Sequence, residues 1–111
     1  MVRSLRILFM KEECPMIPFN ELFEKHRENL ELYVPVVARV HGDTHPEFHE
    51  VKKHFDVIRE KLYELDLSEL KAEFEQLSKI TDYFIVPDDV CETYEAVYRI
   101  LSELKMALFE L

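Results

Sequence analysis

Apolar residues recur every three or four positions along most of this chain, and that spacing constrains the fold more than any other feature. Such spacing brings apolar side chains onto one face of an α-helix. The longest unbroken series in the middle of the chain is Phe48, Val51, Phe55, Ile58, Leu62 and Leu65. Only 1 of the 111 residues is glycine, so the chain lacks material for the many turns of a β-sandwich or barrel. We expect a single all-α domain.

The first helix is predicted from about Pro18 or Asn20 to His41. Gly42 follows directly, in the C′ position that glycine favours because it adopts a left-handed conformation without steric cost. The apolar stripe predicted to face the core consists of Phe23, Leu30, Tyr33, Val37 and Val40.

The second and third helices are predicted to be separate. The second runs from about Pro46, in position N1, to Leu65. The third starts near Leu67, because the step of two from Leu65 moves the apolar stripe off one face of a straight helix. Asp66 and Glu69 have the spacing of a capping box, with Asp in place of Ser or Thr, which supports the break. A single bent helix stays an alternative, since no Gly or Pro marks this position.

The fourth helix is predicted from Pro87, in position N1, to the C-terminus. Its stripe consists of Val90, Tyr94, Val97, Leu101, Leu104, Leu108 and Leu111. Four helices joined by short links predict an up-down-up-down four-helix bundle, which we assign to residues 18–111. Residues 1–17 do not continue the pattern and are assigned to an N-terminal lead-in segment.

The net charge and the number of cysteines exclude several classes of partner and of site. The net charge of −9 disfavours nucleic acid or an anionic membrane surface as the main partner, because both attract positive surfaces. No apolar run reaches the roughly 18 residues of a membrane span, and no secretory signal is visible, so we predict a cytoplasmic protein. Cys14 and Cys91 are too few and too far apart for a disulfide framework or zinc motif. Cys91 is expected to pack as a small hydrophobe.

Two stretches resemble a known family. The stretch Ala38–Phe48, ARVHGDTHPEF, resembles the V-H-G-x-x-H-P-E motif of the hemerythrin-like (HHE cation-binding) domain found in proteins that repair iron centres. The stretch Leu77–Tyr94 resembles the segment that leads into that family's last helix, with its P-x-D-A-C-x-T-Y pattern. The resemblance covers about residues 19–111, with gaps. It implies a hemerythrin-like four-helix bundle, whose family members hold two irons with five histidines and two carboxylates.

Most of the ligands that the resemblance implies are missing from this chain. His41 matches the ligand in the V-H-G motif. The first-helix ligand position holds Phe23, with His26 one turn later, and the third-helix position holds Leu67. The last-helix histidine falls on Leu111, and no His-x-x-x-Glu occurs anywhere in the chain. Leucine offers no lone pair, so the sequence indicates a degenerate member without a di-iron site.

A smaller metal site is the alternative. His45 and His49 lie four apart on the first turn of the second helix, a spacing that can chelate a transition metal. Together with His41 and His26 they form our predicted metal ligands, for iron or zinc. The competing interpretation is that His45 caps or packs the loop, His49 is solvated and His26 is a core histidine with a hydrogen-bond partner.

No nucleophile–base pair, glycine-rich phosphate loop or basic aromatic patch is visible, so we predict no catalytic residue and no bound cofactor. The leading interpretation is a non-catalytic bundle that acts through self-association, as a homodimer, or through contact with another protein. The surface expected to mediate it is the apolar end of the last helix, which contains Met106, Ala107, Leu108, Phe109 and Leu111. The alternatives are a metal-binding protein for storage, sensing or delivery, and a bundle that binds a small apolar ligand where the irons would lie.

Overall fold

The computed structural model describes residues 17–109, which form four α-helices and no strand. The helices are α1 (Ile17–His41), α2 (Glu47–Lys61), α3 (Leu67–Ile80) and α4 (Glu92–Phe109). The all-α prediction is therefore confirmed for this part of the chain. The predicted lead-in segment lies outside the described residues, except for Ile17, which is the first residue of α1. Within residues 17–109, no helix combines the length and the apolar character needed to cross a membrane.

The helices pack as a closed ring of neighbours. α1 contacts α2 and α4, and α3 contacts the same two helices, which is consistent with a four-helix bundle. Each buried Phe or Leu side chain contributes about 1.5–3 kcal/mol to this packing. The largest fully buried side chains are Tyr94, Tyr98, Phe19, Phe23, Phe48, Phe55, Phe74, Leu30, Ile58, Leu70, Leu77 and Leu101.

α2 and α3 are separate helices, as the phase of their stripes predicts. The Asp66 side chain accepts a hydrogen bond from the Glu69 backbone N–H at 2.7 Å, and the Glu69 carboxylate accepts one from Asp66 N–H at 2.9 Å. This is the predicted capping box at the start of α3. The predicted end of α2 at Leu65 is wrong, because the helix stops at Lys61. Leu62 is still buried, so the apolar stripe continues one residue past the end of the helix, into the connection.

Gly42 does not adopt the left-handed conformation expected of it, because no described glycine has a positive φ. Lack of space for a side chain explains the glycine instead. A Cβ atom at this position would overlap the backbone oxygen of Ala38 and the imidazole of His49. The turn between α1 and α2 therefore requires glycine because backbone and side chain approach it closely.

The connection from α3 to α4 is longer than predicted. α4 begins at Glu92 and not at Pro87. Three consecutive residues lie in the left-handed region, Asp82 with φ 55°, Tyr83 with φ 61° and Phe84 with φ 64°. Each such non-glycine residue costs about 1–2 kcal/mol relative to right-handed backbone. The reversal directs the chain away from α3, and Pro87 follows it in non-helical backbone.

The buried face of α1 differs in part from the predicted stripe. Val34 and Ala38 are buried, whereas Val40 is 60% exposed and Tyr33 is half-buried. The prediction that Val40 belongs to the core is wrong. α1 carries a second apolar row on its outer side, to which Val40 and the exposed Leu32 belong, so spacing alone did not identify the inner face.

Candidate functional site

Side chains that carry chemistry gather where the end of α1, the start of α2 and the start of α4 meet. The sequence between α1 and α2 explains this, because it places one histidine at the last residue of α1, a second in the turn and a carboxylate at the first residue of α2. We call this group the polar end cluster. Its members are His41, His45, Glu47, Asp89, Cys91, Tyr94 and Tyr98.

His45 joins three parts of the chain. Its Nε2 atom lies 2.9 Å from Oδ1 of Asp89, and its Nδ1 atom lies 3.3 Å from Oε2 of Glu47. Its backbone N–H donates to the carbonyl oxygen of His41 at 2.8 Å. Only 15% of the His45 side chain is exposed. These contacts match the interpretation of His45 as the residue that packs the loop, and they fix the α3–α4 connection against the α1–α2 turn.

His41 lies beside Cys91. The distance from Nε2 of His41 to Sγ of Cys91 is 3.3 Å, although the residues are 50 positions apart. Cys91 is exposed, so the prediction that it packs as a small hydrophobe is wrong. It immediately precedes the first residue of α4 and lies outside the buried face of that helix. This pair is not predictable from the sequence, because neither residue belongs to a short motif that contains the other.

Two buried phenols lie beneath the histidines. The hydroxyl oxygens of Tyr94 and Tyr98 are 3.1 Å apart, and the Tyr94 hydroxyl donates to Oε2 of Glu47 at 3.5 Å. The rings of His41 and His45 meet the Tyr94 ring edge-on, with centroids 5.5 and 5.7 Å away. Burial raises the pKa of both tyrosines above the ordinary value. The phenols therefore act as neutral hydrogen-bonding groups at neutral pH.

Aromatic rings also fill the space below this cluster. The Phe48 ring centroid lies 5.0 Å from that of Tyr94 and 6.2 Å from that of Tyr98. Such spacing is ordinary close packing of aromatic side chains. A small apolar ligand would have to displace these rings to bind between them, so their packing disfavours a ligand site in the core at this point.

Within residues 17–109, no group of three or more His, Cys, Asp or Glu side chains is arranged to hold a metal ion. The pair of His41 and Cys91 supplies two donors. Ligands of one tetrahedral zinc ion, with Zn–N of about 2.0 Å and Zn–S of about 2.3 Å, lie about 3.5 Å from each other. The observed 3.3 Å between Nε2 and Sγ is close to that separation. The predicted binding of iron or zinc stays a prediction.

The four histidines predicted as metal ligands do not form one group. His41 and His45 share contacts with Tyr94, and His49 is exposed with its imidazole against Gly42. His26 lies 15 residues before His41 on α1, a rise of about 22 Å along the helix. Its Nε2 atom is 4.0 Å from Oε1 of Glu103 and its side chain is 18% exposed, which fits a largely buried histidine with a partner.

A second feature lies on the other side of α4. It is a groove of about 380 Å³ between α3, the α3–α4 connection and α4, and we call it the aromatic groove. Tyr83 is 68% exposed, Met106 is 59% exposed and Phe109 is 37% exposed. The residues that line the groove are Glu75, Tyr83, Phe84, Ser102, Lys105, Met106 and Phe109.

The aromatic groove carries positive charge as well as apolar surface. The Nζ atom of Lys105 lies 5.6 Å from the ring centroid of Tyr83 and 5.4 Å from that of Phe109, and Nζ of Lys71 lies 5.2 Å from that of Phe109. These are distances of cation–π contacts. The apolar end predicted for the last helix is thus divided: Met106 and Phe109 face the groove, while Leu108 is buried in the core and Leu111 lies outside the described residues.

Comparison with models of protein families, with characterised proteins and with solved structures gives no match to this chain. The resemblance of residues 38–48 and 77–94 to hemerythrin-like proteins therefore stays a prediction.

Proposed function

We propose that this protein is a non-catalytic, hemerythrin-like, up-down-up-down four-helix bundle that acts through self-association. The observation that carries the proposal is the aromatic groove, in which Tyr83 and Met106 are more than half exposed and Phe109 is more than one-third exposed. Burial of apolar surface contributes about 25 cal/mol of favourable free energy per Å² removed from water. Exposed apolar side chains that gather in one groove are candidates for an interaction surface.

The residues at the ligand positions that the resemblance implies support a non-catalytic role. At the first-helix ligand position, Phe23 is fully buried and its ring centroid lies 6.1 Å from that of Phe19. At the third-helix position, Leu67 is 38% exposed. Neither side chain has a lone pair for iron. Because packed aromatic rings fill the space around Phe23, a water molecule has no room to replace the missing ligand there.

Sedimentation equilibrium over a range of protein concentrations tests self-association. We expect a dimer for the wild type and a monomer for Met106→Glu, because the charge would lie in the middle of the buried surface. Leu32→Glu is the matched control, since Leu32 is 62% exposed on α1, outside the groove. A wild-type monomer at every concentration contradicts the proposal. A dimer that Leu32→Glu dissociates and Met106→Glu does not would move the interface to α1.

Metal binding is the second candidate function, and the His41–Cys91 pair favours it. A ligand pair with this separation, completed by water, binds zinc more readily than iron because thiolate is a soft ligand. The test is metal content by mass spectrometry on protein purified without a histidine tag. One zinc per chain that is lost in His41→Ala and in Cys91→Ser, but kept in His54→Ala, supports this function. Two irons per chain would restore the di-iron interpretation, and no metal would reject both.

A further inference from the structure

We infer that the occupant of the aromatic groove is a second copy of this chain, related to the first by a two-fold axis that passes through the groove. The inference rests on the proposed self-association. It adds the docking geometry and the residues that pair across the interface.

The spacing of the groove residues on α4 is the first argument. Ser102, Lys105, Met106 and Phe109 follow one another at steps of three, one and three, so they lie along one face of the helix. A helix that docks in an apolar groove uses this i, i+3, i+4, i+7 pattern of anchors. α4 is therefore both a wall of the groove and a suitable occupant for the groove of another copy. A two-fold dimer requires this self-complementarity, because the same surface serves both partners.

The charges on the two walls are the second argument. Glu75 lies on the α3 wall and Lys105 on the α4 wall. Neither forms an ion pair with another residue in the range 17–109. A two-fold axis that runs along the groove, parallel to α3 and α4, brings α4 of one copy over α3 of the other. Lys105 then faces Glu75 of the partner subunit, and the symmetry makes the same contact a second time.

The lysines at the groove favour a partner that offers carboxylates there. The chain has 23 acidic and 14 basic residues, yet Lys71 and Lys105 both lie over aromatic rings at this groove. A partner that fits must therefore offer carboxylates beside apolar anchors. A second copy supplies both, with Glu75 for the lysines and Met106 and Phe109 for the groove.

Charge reversal tests the docking geometry. We expect Lys105→Glu and Glu75→Lys each to raise the dimer dissociation constant about ten-fold, because two exposed ion pairs become two like-charge contacts. The double variant Lys105→Glu with Glu75→Lys should return to within about three-fold of the wild type, since both pairs are restored with opposite polarity. Lys53→Glu, an exposed charge reversal on α2, should leave the constant unchanged.

Cross-linking of the unmodified protein gives an independent measurement. A carbodiimide joins a lysine amine to a carboxylate in contact with it. In a mixture of ¹⁴N- and ¹⁵N-labelled chains, a mixed-isotope peptide that joins Lys105 to Glu75 is the expected product. Cross-links of Lys105 to residues 1–16 of the same chain, with no mixed-isotope product, would show that the chain covers its own groove and would overturn the inference.

The two proposals fail in different ways. A wild-type protein that sediments only as a monomer contradicts self-association itself. A wild-type dimer whose dissociation constant is unchanged by the single reversals, or is not restored in the double variant, contradicts only the geometry inferred here. In that case the dimer would form through a different surface.

Discussion

The hydroxyl oxygens of Tyr94 and Tyr98 lie 3.1 Å apart on the inner face of α4. Because Tyr94 donates its proton to Oε2 of Glu47, Tyr98 must donate to Tyr94. The hydrogen bonds therefore run in one direction, from the interior of the bundle to a half-buried carboxylate at the start of α2. This order needs both phenols to remain protonated, which their burial favours.

Stability should fall at alkaline pH because of these two phenols. Burial raises the pKa of Tyr98 and of Tyr94 above the ordinary tyrosine value. A group whose pKa is higher in the folded state stabilises the fold. This stabilisation is complete below about pH 10, the pKa of tyrosine in the unfolded chain, and it is lost as pH rises further. Urea unfolding at several pH values should show a decline above about pH 10.

Two variants separate this effect from general alkaline unfolding. Tyr98→Phe should cost about 1 kcal/mol at neutral pH through the lost hydrogen bond, and it should flatten the alkaline decline. Tyr33→Phe, at a half-buried tyrosine on α1, should keep the wild-type slope. Equal slopes in all three proteins would contradict the assignment to Tyr98.

The sequence predicted the helical segments well where apolar spacing had only one solution. The stripe of α2 has no competing apolar row, and the capping box at Asp66 and Glu69 supports a separate α3 over the alternative of one bent helix. Spacing failed on α1, where Val40 belongs to a second apolar row. The preference of proline for position N1 failed at Pro87, because the left-handed turn before it depends on backbone conformations that non-glycine residues seldom adopt.

Truncation in the α4 stripe tests the core. Leu104 is fully buried, so Leu104→Ala should lower the free energy of unfolding by about 2–5 kcal/mol through lost transfer energy and a cavity. Met106→Ala is the control two residues later, with 59% of the side chain exposed, and should change stability by less than about 0.5 kcal/mol. Urea unfolding measures the stability of both variants, at protein concentrations low enough for the chain to be monomeric. Equal effects would mean that the inner face of α4 is wrongly assigned.

Substitutions at Gly42 test why this position requires glycine. The reason is either that neighbouring atoms lie too close for a side chain or that the backbone is left-handed. Gly42→Ala should destabilise by about 1–3 kcal/mol, because the new methyl group overlaps the Ala38 oxygen and the His49 imidazole. Gly42→Asn should be at least as costly, since it adds more atoms to the same space. A left-handed glycine behaves differently, because asparagine tolerates that conformation better than alanine. Thermal unfolding of both variants decides, and a milder effect of asparagine would reject the steric explanation.

Only part of the polar end cluster is predictable from the sequence. His41 and His45 were identified because they lie in one short motif with Gly42. Asp89 and Cys91 were missed as their partners, because the contacts span 44 and 50 positions and depend on how the α3–α4 connection folds back. Helical periodicity carries no information about the path of such a segment.

That path begins with the left-handed turn, whose backbone conformation costs free energy. Asp82 has φ 55° and is exposed. Glycine occupies this region without a steric penalty, so Asp82→Gly should raise the free energy of unfolding by about 1 kcal/mol. Asp88→Gly is the matched control in the same connection. Asp88 has no positive φ, so there glycine only adds freedom to the unfolded chain and should lower stability by up to about 1 kcal/mol. Urea unfolding of both variants measures the difference. Two destabilised variants would mean that this segment folds without the left-handed turn.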